Sequence, residues 1–362
     1  MSSIYVHIPF CASICFYCDF CRIVYNESIK EKWFKRLLEE IENKDVSSID
    51  TLYFGGGTPS ILSPDDFEKI ASCFISHFND GYEWTVECNP DSVTEQKVKL
   101  YKKLGVNRIS LGVQTFNDSL LQTIGRKHTS SDVYRSIELF RKYGIDNISI
   151  DLIFGLPGQT LDDVRKDMDV FLSLGLNHLS IYSLQIEENS VFGKKGMESC
   201  DEDLEADMYE LIQNMCLENG YEHYEISSYA KEGKYSRHNL SYWEDLDFIG
   251  IGCGASGREN GIRYSNTNSI TSYIENGPMT EYVDESIDER AFNAIMMALR
   301  TSFGLDIEKW NQKYNQDFKK GYEKVLSKWM PDYLVIKDHH IKTTDLGMEI
   351  LNTILIDFMD MN

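Results

Sequence analysis

Three cysteines near the amino terminus stand at a spacing that suits an iron–sulfur cluster. Cys11, Cys15 and Cys18 follow an apolar segment with strand character. Iron–sulfur clusters select thiolate ligands, and three thiolates leave one iron free to coordinate something else. Structural zinc is the alternative, but it normally takes four ligands in paired spacing, and no second Cys or His pair stands at a fitting distance. We therefore favour a cluster over zinc.

The other cysteines and the charge bear on the compartment and the partners. Nine cysteines in a chain of 362 residues without an export signal do not indicate a disulfide framework. A formal charge of -22 disfavours nucleic acid and anionic membrane surfaces as partners. No apolar run is long enough to span a bilayer. We expect a cytoplasmic protein with no nucleic-acid partner and no integral membrane segment.

A repeated pattern predicts the elements that position the cysteines. Segments that begin at Gly105, Gly144 and Gly175 each run glycine, apolar, Asn or Asp, any residue, Ile or Leu, and Ser. Each follows a helical segment and opens a strand, since glycine suits the left-handed position at a helix end. Six strands alternating with helices predict an α/β fold with a partial (β/α)6-type barrel and its chemistry at the carboxyl ends of the strands. The predicted strands are residues 4–8, 51–54, 84–88, 109–113, 148–154 and 179–184.

The carboxyl-terminal part has a different pattern. Predicted helices at 290–299, 318–329 and 346–359, with a hairpin of 333–336 and 340–343, indicate a small winged-helix-like α+β domain. Such folds often bind DNA, but no dense basic cluster is present, so we expect a structural or partner-contacting lid. The predicted parts of the chain are a core barrel at 1–190, an extension that completes the core at 191–287, and the small domain at 288–362.

The cysteine spacing, with Tyr17 before the third cysteine, resembles the signature of the radical S-adenosylmethionine (SAM) superfamily. Further motifs resemble the oxygen-independent coproporphyrinogen III oxidase family and its close relative, the heme chaperone HemW. The resemblance implies a [4Fe–4S] cluster on Cys11, Cys15 and Cys18, whose open iron binds the amino and carboxylate groups of SAM. The motifs that carry it are residues 5–11, 55–60, 112–116, 125–128 and 151–160.

The resemblance also implies which residues hold SAM. Consecutive glycines at a strand end let the backbone approach a small ligand, and an arginine fork suits a carboxylate. From the residues alone, the glycines could form a plain turn, Glu87 a surface acid, and Arg126 and Asp151 structural ion pairs. The expected SAM-binding residues are Tyr5, Tyr17, Gly56, Gly57, Thr58, Glu87, Gln114, Arg126 and Asp151.

Two features favour the chaperone branch. Phe20 stands where the oxidase branch carries a further cysteine, and Cys21 comes one residue late, so we interpret Cys21 as an uncommitted thiol. Residues 238–243 resemble a segment suspected of contacting heme, which makes His238 a candidate heme residue, although a histidine packed in the core is the alternative. The resemblance implies a protein that binds heme, passes it to an unidentified acceptor protein, and takes electrons from a reductant such as flavodoxin or ferredoxin.

Other functions stay open at this point. The chain could be an oxygen-independent coproporphyrinogen III dehydrogenase, which decarboxylates propionate side chains by radical chemistry. A heme-degrading radical methyltransferase of the same superfamily is a second possibility. A zinc- or cluster-stabilised binding module without cofactor chemistry is a third. The family has an Ala-His pair where this chain has Ala255 and Ser256, which puts a role for that position in doubt.

Overall fold

A computed structural model describes residues 2–359. Residue 1 and residues 360–362, which the predicted first and last parts include, lie outside the described residues. Buried apolar side chains form one large core over residues 4–273 and a separate core over residues 291–358. A smaller apolar cluster joins residues 120–192, and Phe16 and Tyr17 of residues 11–22, which we call the cysteine loop, pack against it. The exact boundaries of the three predicted parts stay predictions.

Strands of the described chain form sheets of twelve, three and two strands. They are β1 (Ser3–Ile8), β2 (Phe10–Cys11), β3 (Ile23–Val24), β4 (Ile49–Gly56), β5 (Phe78–Cys88), β6 (Arg108–Gln114), β7 (Ile148–Phe154), β8 (His178–Ser183), β9 (Glu222–Glu225), β10 (Ser228–Ala230), β11 (Phe248–Ile251), β12 (Ser256–Glu259), β13 (Ile262–Ser265), β14 (Glu281–Tyr282), β15 (Leu305–Asp306), β16 (Leu334–Lys337) and β17 (His340–Thr343).

Helices alternate with the strands of the large sheet and dominate the carboxyl-terminal part. They are α1 (Glu27–Glu42), α2 (Pro64–Ser72), α3 (Glu95–Leu104), α4 (Asp118–Thr123), α5 (Ser130–Lys142), α6 (Leu161–Leu174), α7 (Val191–Lys194), α8 (Glu202–Glu218), α9 (Arg237–Trp243), α10 (Ile270–Asn276), α11 (Ile287–Ala298), α12 (Ile307–Tyr314), α13 (Phe318–Gly321), α14 (Glu323–Trp329), α15 (Asp345–Glu349) and α16 (Leu351–Met359). Within the described residues, no helix is long and apolar enough to cross a bilayer.

The six predicted strands are present as β1 and β4 to β8, which lie side by side and parallel at the centre of the large sheet. Its order is β14-β13-β12-β11-β1-β4-β5-β6-β7-β8-β10-β9. Neighbours from β11 to β8 run parallel, and the strands outside them run antiparallel. The sheet stays open between β14 and β9, so it is a partial barrel. The predicted α/β class is confirmed, and the carboxyl ends of its parallel strands share one edge.

The repeated glycine pattern works as predicted at the helix ends. Gly105 and Gly175 end α3 and α6 with φ of 98° and 59°, a region that costs other residues strain. The asparagine of the first repeat, Asn107, accepts a hydrogen bond from Trp84 N at 2.8 Å and so ties the turn to β5. The spacing of Ser28 and Glu31 is typical of a capping box, but α1 begins earlier. Asn26 caps this helix, because its side chain accepts a hydrogen bond from Ile29 N.

The carboxyl-terminal part has its own three-stranded sheet, β15-β17-β16, packed with α11 to α16. The predicted hairpin is present as β16 and β17. Two predicted helices are each divided, at Tyr322 and at Ile350, where the backbone leaves the helical region. A β-bridge between Glu225 and Thr301, flanked by backbone hydrogen bonds from Ile226 N to residue 300 and from residue 302 to Tyr224 O, connects this part to the large sheet. The apolar packing of Ile226 and an ion pair of Lys313 with Asp245 add to this contact. The predicted small α+β domain is confirmed.

Candidate functional site

The cysteine loop is fastened at both of its ends. β2 and β3 pair in parallel, so Cys11 lies opposite Val24 and the intervening residues form a closed loop beyond β1. In the middle of the loop, Phe16 donates through its backbone N–H to Ile124 O at 3.0 Å and accepts from Phe192 N at 2.9 Å. Backbone contacts of this kind hold a loop in one conformation without using its side chains. The cysteine side chains therefore stay free to point inward.

The three cysteines share one cavity with most of the predicted SAM residues. This cavity has a volume of about 450 Å³ and lies at the carboxyl ends of the parallel strands. We call it the SAM cavity. The predicted residues that line it are Cys11, Cys15, Tyr17, Cys18, Gly56, Gly57, Thr58, Glu87, Gln114, Arg126 and Asp151. Tyr5 and His238, also predicted, do not line it.

Two glycines at the end of β4 make room for their neighbours. A Cβ on Gly57 would lie 3.0 Å from Cys11 Sγ and 2.8 Å from Phe10 O. A Cβ on Gly56 would lie 2.7 Å from the His7 ring, and its φ of 114° already favours glycine. Thr58 Oγ1 donates to Cys11 Sγ at 3.6 Å. Glycine is therefore required at 57 by the approach of Cys11 and at 56 by the ring of His7, and a plain turn would need neither.

Two buried carboxyl groups face the SAM cavity. Glu87 accepts hydrogen bonds from Tyr53 Oη at 2.8 Å and from Gly56 N at 3.1 Å. Burial, partly offset by these donors, raises the pKa of Glu87 to about 7. Asp151 accepts from Ser110 Oγ at 2.8 Å, and burial raises the pKa of Asp151 to about 6. Both carboxyl groups thus keep oxygen atoms available for hydroxyl donors of a ligand.

Arg126 brings a cation next to the thiols. Its Nη2 donates to Gly112 O at 2.5 Å, and its Nη1 lies 3.5 Å from Cys15 Sγ. Its Nε is buried and has no hydrogen-bond partner. A buried donor without a partner is costly, so an anionic ligand next to the thiols would satisfy it. Gln114, at the end of β6, has a φ of 68°, which is rare for a residue other than glycine and typical of functional sites.

A second, larger cavity adjoins the first. It has a volume of about 1070 Å³ and lies between the cysteine loop, β11 to β13, and Met297 of α11. We call it the large cavity. Aromatic side chains line it, among them Tyr5, Tyr242, Phe248 and Tyr264. The wall shared by both cavities consists of Asp19, Phe20, Arg22, Gly56 and Glu87.

His238 is a packed histidine that positions Tyr242. Its ring is fully buried, with Nδ1 at 2.8 Å from Thr51 Oγ1 and Nε2 at 2.7 Å from Tyr242 Oη. Burial lowers the pKa of His238 to about 3, so the ring is neutral. His238 lines neither cavity, so its ring is not placed to contact a ligand in either of them. Tyr242, one turn further along α9, is the residue of the 238–243 segment that lines the large cavity.

Sequence reasoning missed several residues that support the site. Tyr53 and Ser110 hold the two carboxyl groups, and Asn239 lines the SAM cavity. Arg22 donates to the backbone oxygens of Cys18 and Phe20 and thereby fixes the end of the cysteine loop. Strand position offers a signal for Tyr53, which lies in the carboxyl-terminal half of β4, but not for Ser110, which lies in the amino-terminal half of β6. Nothing in the sequence indicates that Arg22 turns back to the loop.

Known proteins match this chain in sequence and in fold. Residues 5–171 match the radical SAM superfamily, and residues 286–350 match the HemN C-terminal domain. The heme chaperone HemW of Lactococcus lactis is 37% identical over 99% of this chain and 97% of its own length. The heme chaperone HemW of Bacillus subtilis is 36% identical over 90% of each. Coproporphyrinogen III oxidase (HemN) from Escherichia coli has the same fold, with a TM-score of 0.85 at 21% identity over 99% of this chain and 89% of its own.

Proposed function

The chain belongs to the HemW family, and from this premise we propose that it is a heme chaperone that binds a [4Fe–4S] cluster, SAM and heme. Cys11, Cys15 and Cys18 would hold the cluster, since their side chains line one cavity. Three thiolates leave one iron without a protein ligand, and Cys21 lies against the large cavity instead. The donor chemistry fits a cluster and not a closed zinc site.

SAM would occupy the remainder of the SAM cavity. Arg126, with its unpartnered Nε, is placed to receive the carboxylate, and Glu87 and Asp151 to accept from ribose hydroxyls. Gln114 and the backbone at Gly57 would complete the contacts. When bound, the cluster and SAM supply one-electron cleavage of a sulfonium bond, with a reductant such as flavodoxin or ferredoxin as the electron source. The chain's own contribution is to orient SAM and to bury its charged end.

Heme would occupy the large cavity. The single observation that carries this assignment is an aromatic-lined cavity of about 1070 Å³ that shares a wall with the SAM cavity. Flat aromatic faces suit a porphyrin ring, and Phe20, with 65% of its surface exposed, projects at the shared wall. We propose Tyr242, rather than His238, as the contact that the 238–243 segment makes with heme. The acceptor protein would take heme from the open side of this cavity.

The second candidate is oxygen-independent coproporphyrinogen III dehydrogenase. The fold shared with HemN at a TM-score of 0.85 favours it, and coproporphyrinogen would fit the same cavity. Phe20 in place of a further cysteine, as the resemblance implies for the chaperone branch, speaks against it. Free thiols throughout the described chain and the strongly acidic composition support a cytoplasmic location in either case.

One experiment separates the two functions. Anaerobically reconstituted protein is titrated with heme, and a parallel sample receives coproporphyrinogen III, SAM and a reductant. The chaperone predicts a Soret shift that saturates at one equivalent of heme and no carbon dioxide. Multiple turnovers of carbon dioxide release, or a heme titration without saturation, would reverse the assignment.

A further inference from the structure

Two cysteines that the proposed function leaves unused meet at the wall of the large cavity. Cys21 lies on the cysteine loop shortly after Cys18, and Cys253 lies in the turn after β11. Their Sγ atoms are 3.5 Å apart although 232 positions separate them in the chain. Cys21 is half-buried and lines the cavity, whereas Cys253 is buried. The pair therefore has one accessible and one protected sulfur.

The turn around Cys253 is shaped to admit Cys21. A Cβ on Gly254 would lie 2.4 Å from Cys21 Cβ and 2.9 Å from its Sγ, so only glycine leaves room for this approach. Gly254 also has a φ of 77°, which disfavours other residues. Backbone oxygens of the same segment lie near both sulfurs, with the oxygen of residue 267 at 3.1 Å from Cys253 Sγ and the oxygen of residue 268 at 3.4 Å from Cys21 Sγ.

We propose that Cys21 and Cys253 form a reversible disulfide that fastens the cysteine loop to the turn between β11 and β12. The two sulfur atoms have to approach by only about 1.5 Å to reach bonding distance. The oxidant is a small disulfide such as oxidised glutathione, which reaches Cys21 through the large cavity. This modification goes beyond the proposed function, because neither the cluster nor heme binding requires it.

The exchange balances in two steps. The thiolate of Cys21 attacks one sulfur of the oxidant, which breaks the oxidant's S–S bond and releases its first half as a thiolate. The sulfur of Cys253 then attacks Cys21 Sγ in the mixed disulfide, gives up its proton to solvent, and releases the second half. Two protein thiols are oxidised, and one small disulfide is reduced to two thiols.

The hydrogen bond between the two sulfurs sets which one attacks. It lowers the pKa of Cys21 and raises the pKa of Cys253. The accessible sulfur is thus the better nucleophile at neutral pH, and the buried sulfur resolves the intermediate. Cys73 is a matched control, since it is also half-buried but its Sγ donates to Lys69 O at 3.5 Å and burial raises its pKa.

The disulfide would strengthen an existing anchor of the cluster loop. His7 Nε2 already lies 2.7 Å from Cys21 O, and Arg22 ties the same segment to the backbone of Cys18. A covalent tie at Cys21 would limit the opening of this loop, through which a chelator must reach the iron. The oxidised protein should therefore lose its cluster more slowly than the reduced protein.

Peptide mapping tests the proposal without reference to heme or SAM. Reconstituted wild-type protein is treated anaerobically with oxidised glutathione, its free thiols are alkylated, and its digest is mapped before and after reduction. We expect a peptide pair linked through Cys21 and Cys253 that dithiothreitol separates. It should be absent in Cys21→Ser and Cys253→Ser and unchanged in Cys73→Ser. Alkylation of both cysteines in the wild type, or glutathione left on Cys21, would overturn the disulfide.

The rate of iron release to a chelator tests the fastening. Oxidation should slow it by about threefold or more in the wild type and leave it unchanged in Cys253→Ser. Equal rates in oxidised and reduced wild-type protein would overturn the fastening. Because neither readout measures heme, a negative result here leaves the heme titration as an independent test of the proposed function.

Discussion

The two neighbouring cavities are built from different parts of the chain and carry different chemistry. The SAM cavity is formed by the ends of regular parallel strands and contains buried charged groups, among them Arg126, Glu87 and Asp151. The large cavity is formed by the cysteine loop, the short strands β11 to β13 and Tyr242 of α9, and its wall combines five Tyr and Phe rings with charged groups such as Arg258 and Arg263. Buried charged groups suit the amino-acid end of a sulfonium nucleoside, and aromatic faces suit a flat macrocycle. The shared wall would place the two proposed ligands, SAM and heme, next to each other in the same protein.

Loss of a cluster ligand is the strongest way to separate the cavities. In Cys15→Ser, we expect no stable [4Fe–4S] cluster and a loss of SAM affinity by at least about hundredfold, because the amino and carboxylate groups of SAM would coordinate the open iron of that cluster. Heme affinity should change by less than about threefold, since the aromatic wall is intact. Equilibrium binding of each ligand checks both statements, with Cys73→Ser as control. A joint loss of both ligands would contradict two separate sites.

The arginine in the SAM cavity should have the next largest effect. Arg126→Ala removes a buried cation, and SAM affinity should fall by about tenfold to hundredfold, the worth of hydrogen bonds to a charged group. Arg126→Lys keeps the charge but loses the planar fork and should recover only part of the affinity. Isothermal titration of SAM into the reconstituted variants measures this. Full affinity in Arg126→Ala would show that the carboxylate binds elsewhere.

A bulky side chain in the large cavity should have the opposite effect, lowering heme affinity and leaving SAM affinity unchanged. Ser256 is exposed and lines the large cavity but not the SAM cavity. Ser256→Trp should therefore weaken heme binding by about tenfold, or 1.4 kcal/mol, and leave SAM affinity unchanged. Thr271 is exposed on α10 and lines neither cavity. Thr271→Trp therefore adds the same side chain elsewhere on the surface and should leave heme affinity as in the wild type. Soret titrations of the two variants make the comparison. Equal affinities in both would contradict the heme assignment.

The pH dependence of SAM binding should show the smallest effect. The pKa of Glu87 is about 7, so its carboxylate gains a proton as the pH falls and loses its capacity as a charged acceptor. SAM affinity should therefore fall by about fivefold from pH 8 to pH 6. Glu87→Gln should bind less tightly at pH 8 and show a flatter profile down to the pKa of Asp151 at about 6. A wild-type affinity that is constant over this range would exclude an ionised Glu87 as a SAM contact.

The same contrast explains what the sequence could predict. The six parallel strands and the three glycine turns were predictable because local propensity and the repeat point to the same fold. The residues of the SAM cavity were identified through the resemblance, since from the residues alone Glu87 could be a surface acid and Arg126 and Asp151 could form structural ion pairs. The large cavity was not predictable, since its strands are short and pair antiparallel with each other over irregular turns. His238 shows the limit most clearly, because only the packed structure shows that its ring bonds Thr51 and that Tyr242 faces the cavity.

The left-handed backbone of Gln114 and the contact between Cys21 and Cys253 were likewise not predictable from the sequence. Each depends on contacts between residues far apart in the chain, for which a single sequence contains no periodic signal.

Electron paramagnetic resonance of the reduced cluster shows whether SAM binds to an iron that the three cysteines leave open. We expect one equivalent of SAM to shift the g values of the wild-type [4Fe–4S] signal, because three cysteine ligands would leave one iron open to SAM. A spectrum that SAM does not change, from a fully loaded cluster, would contradict it.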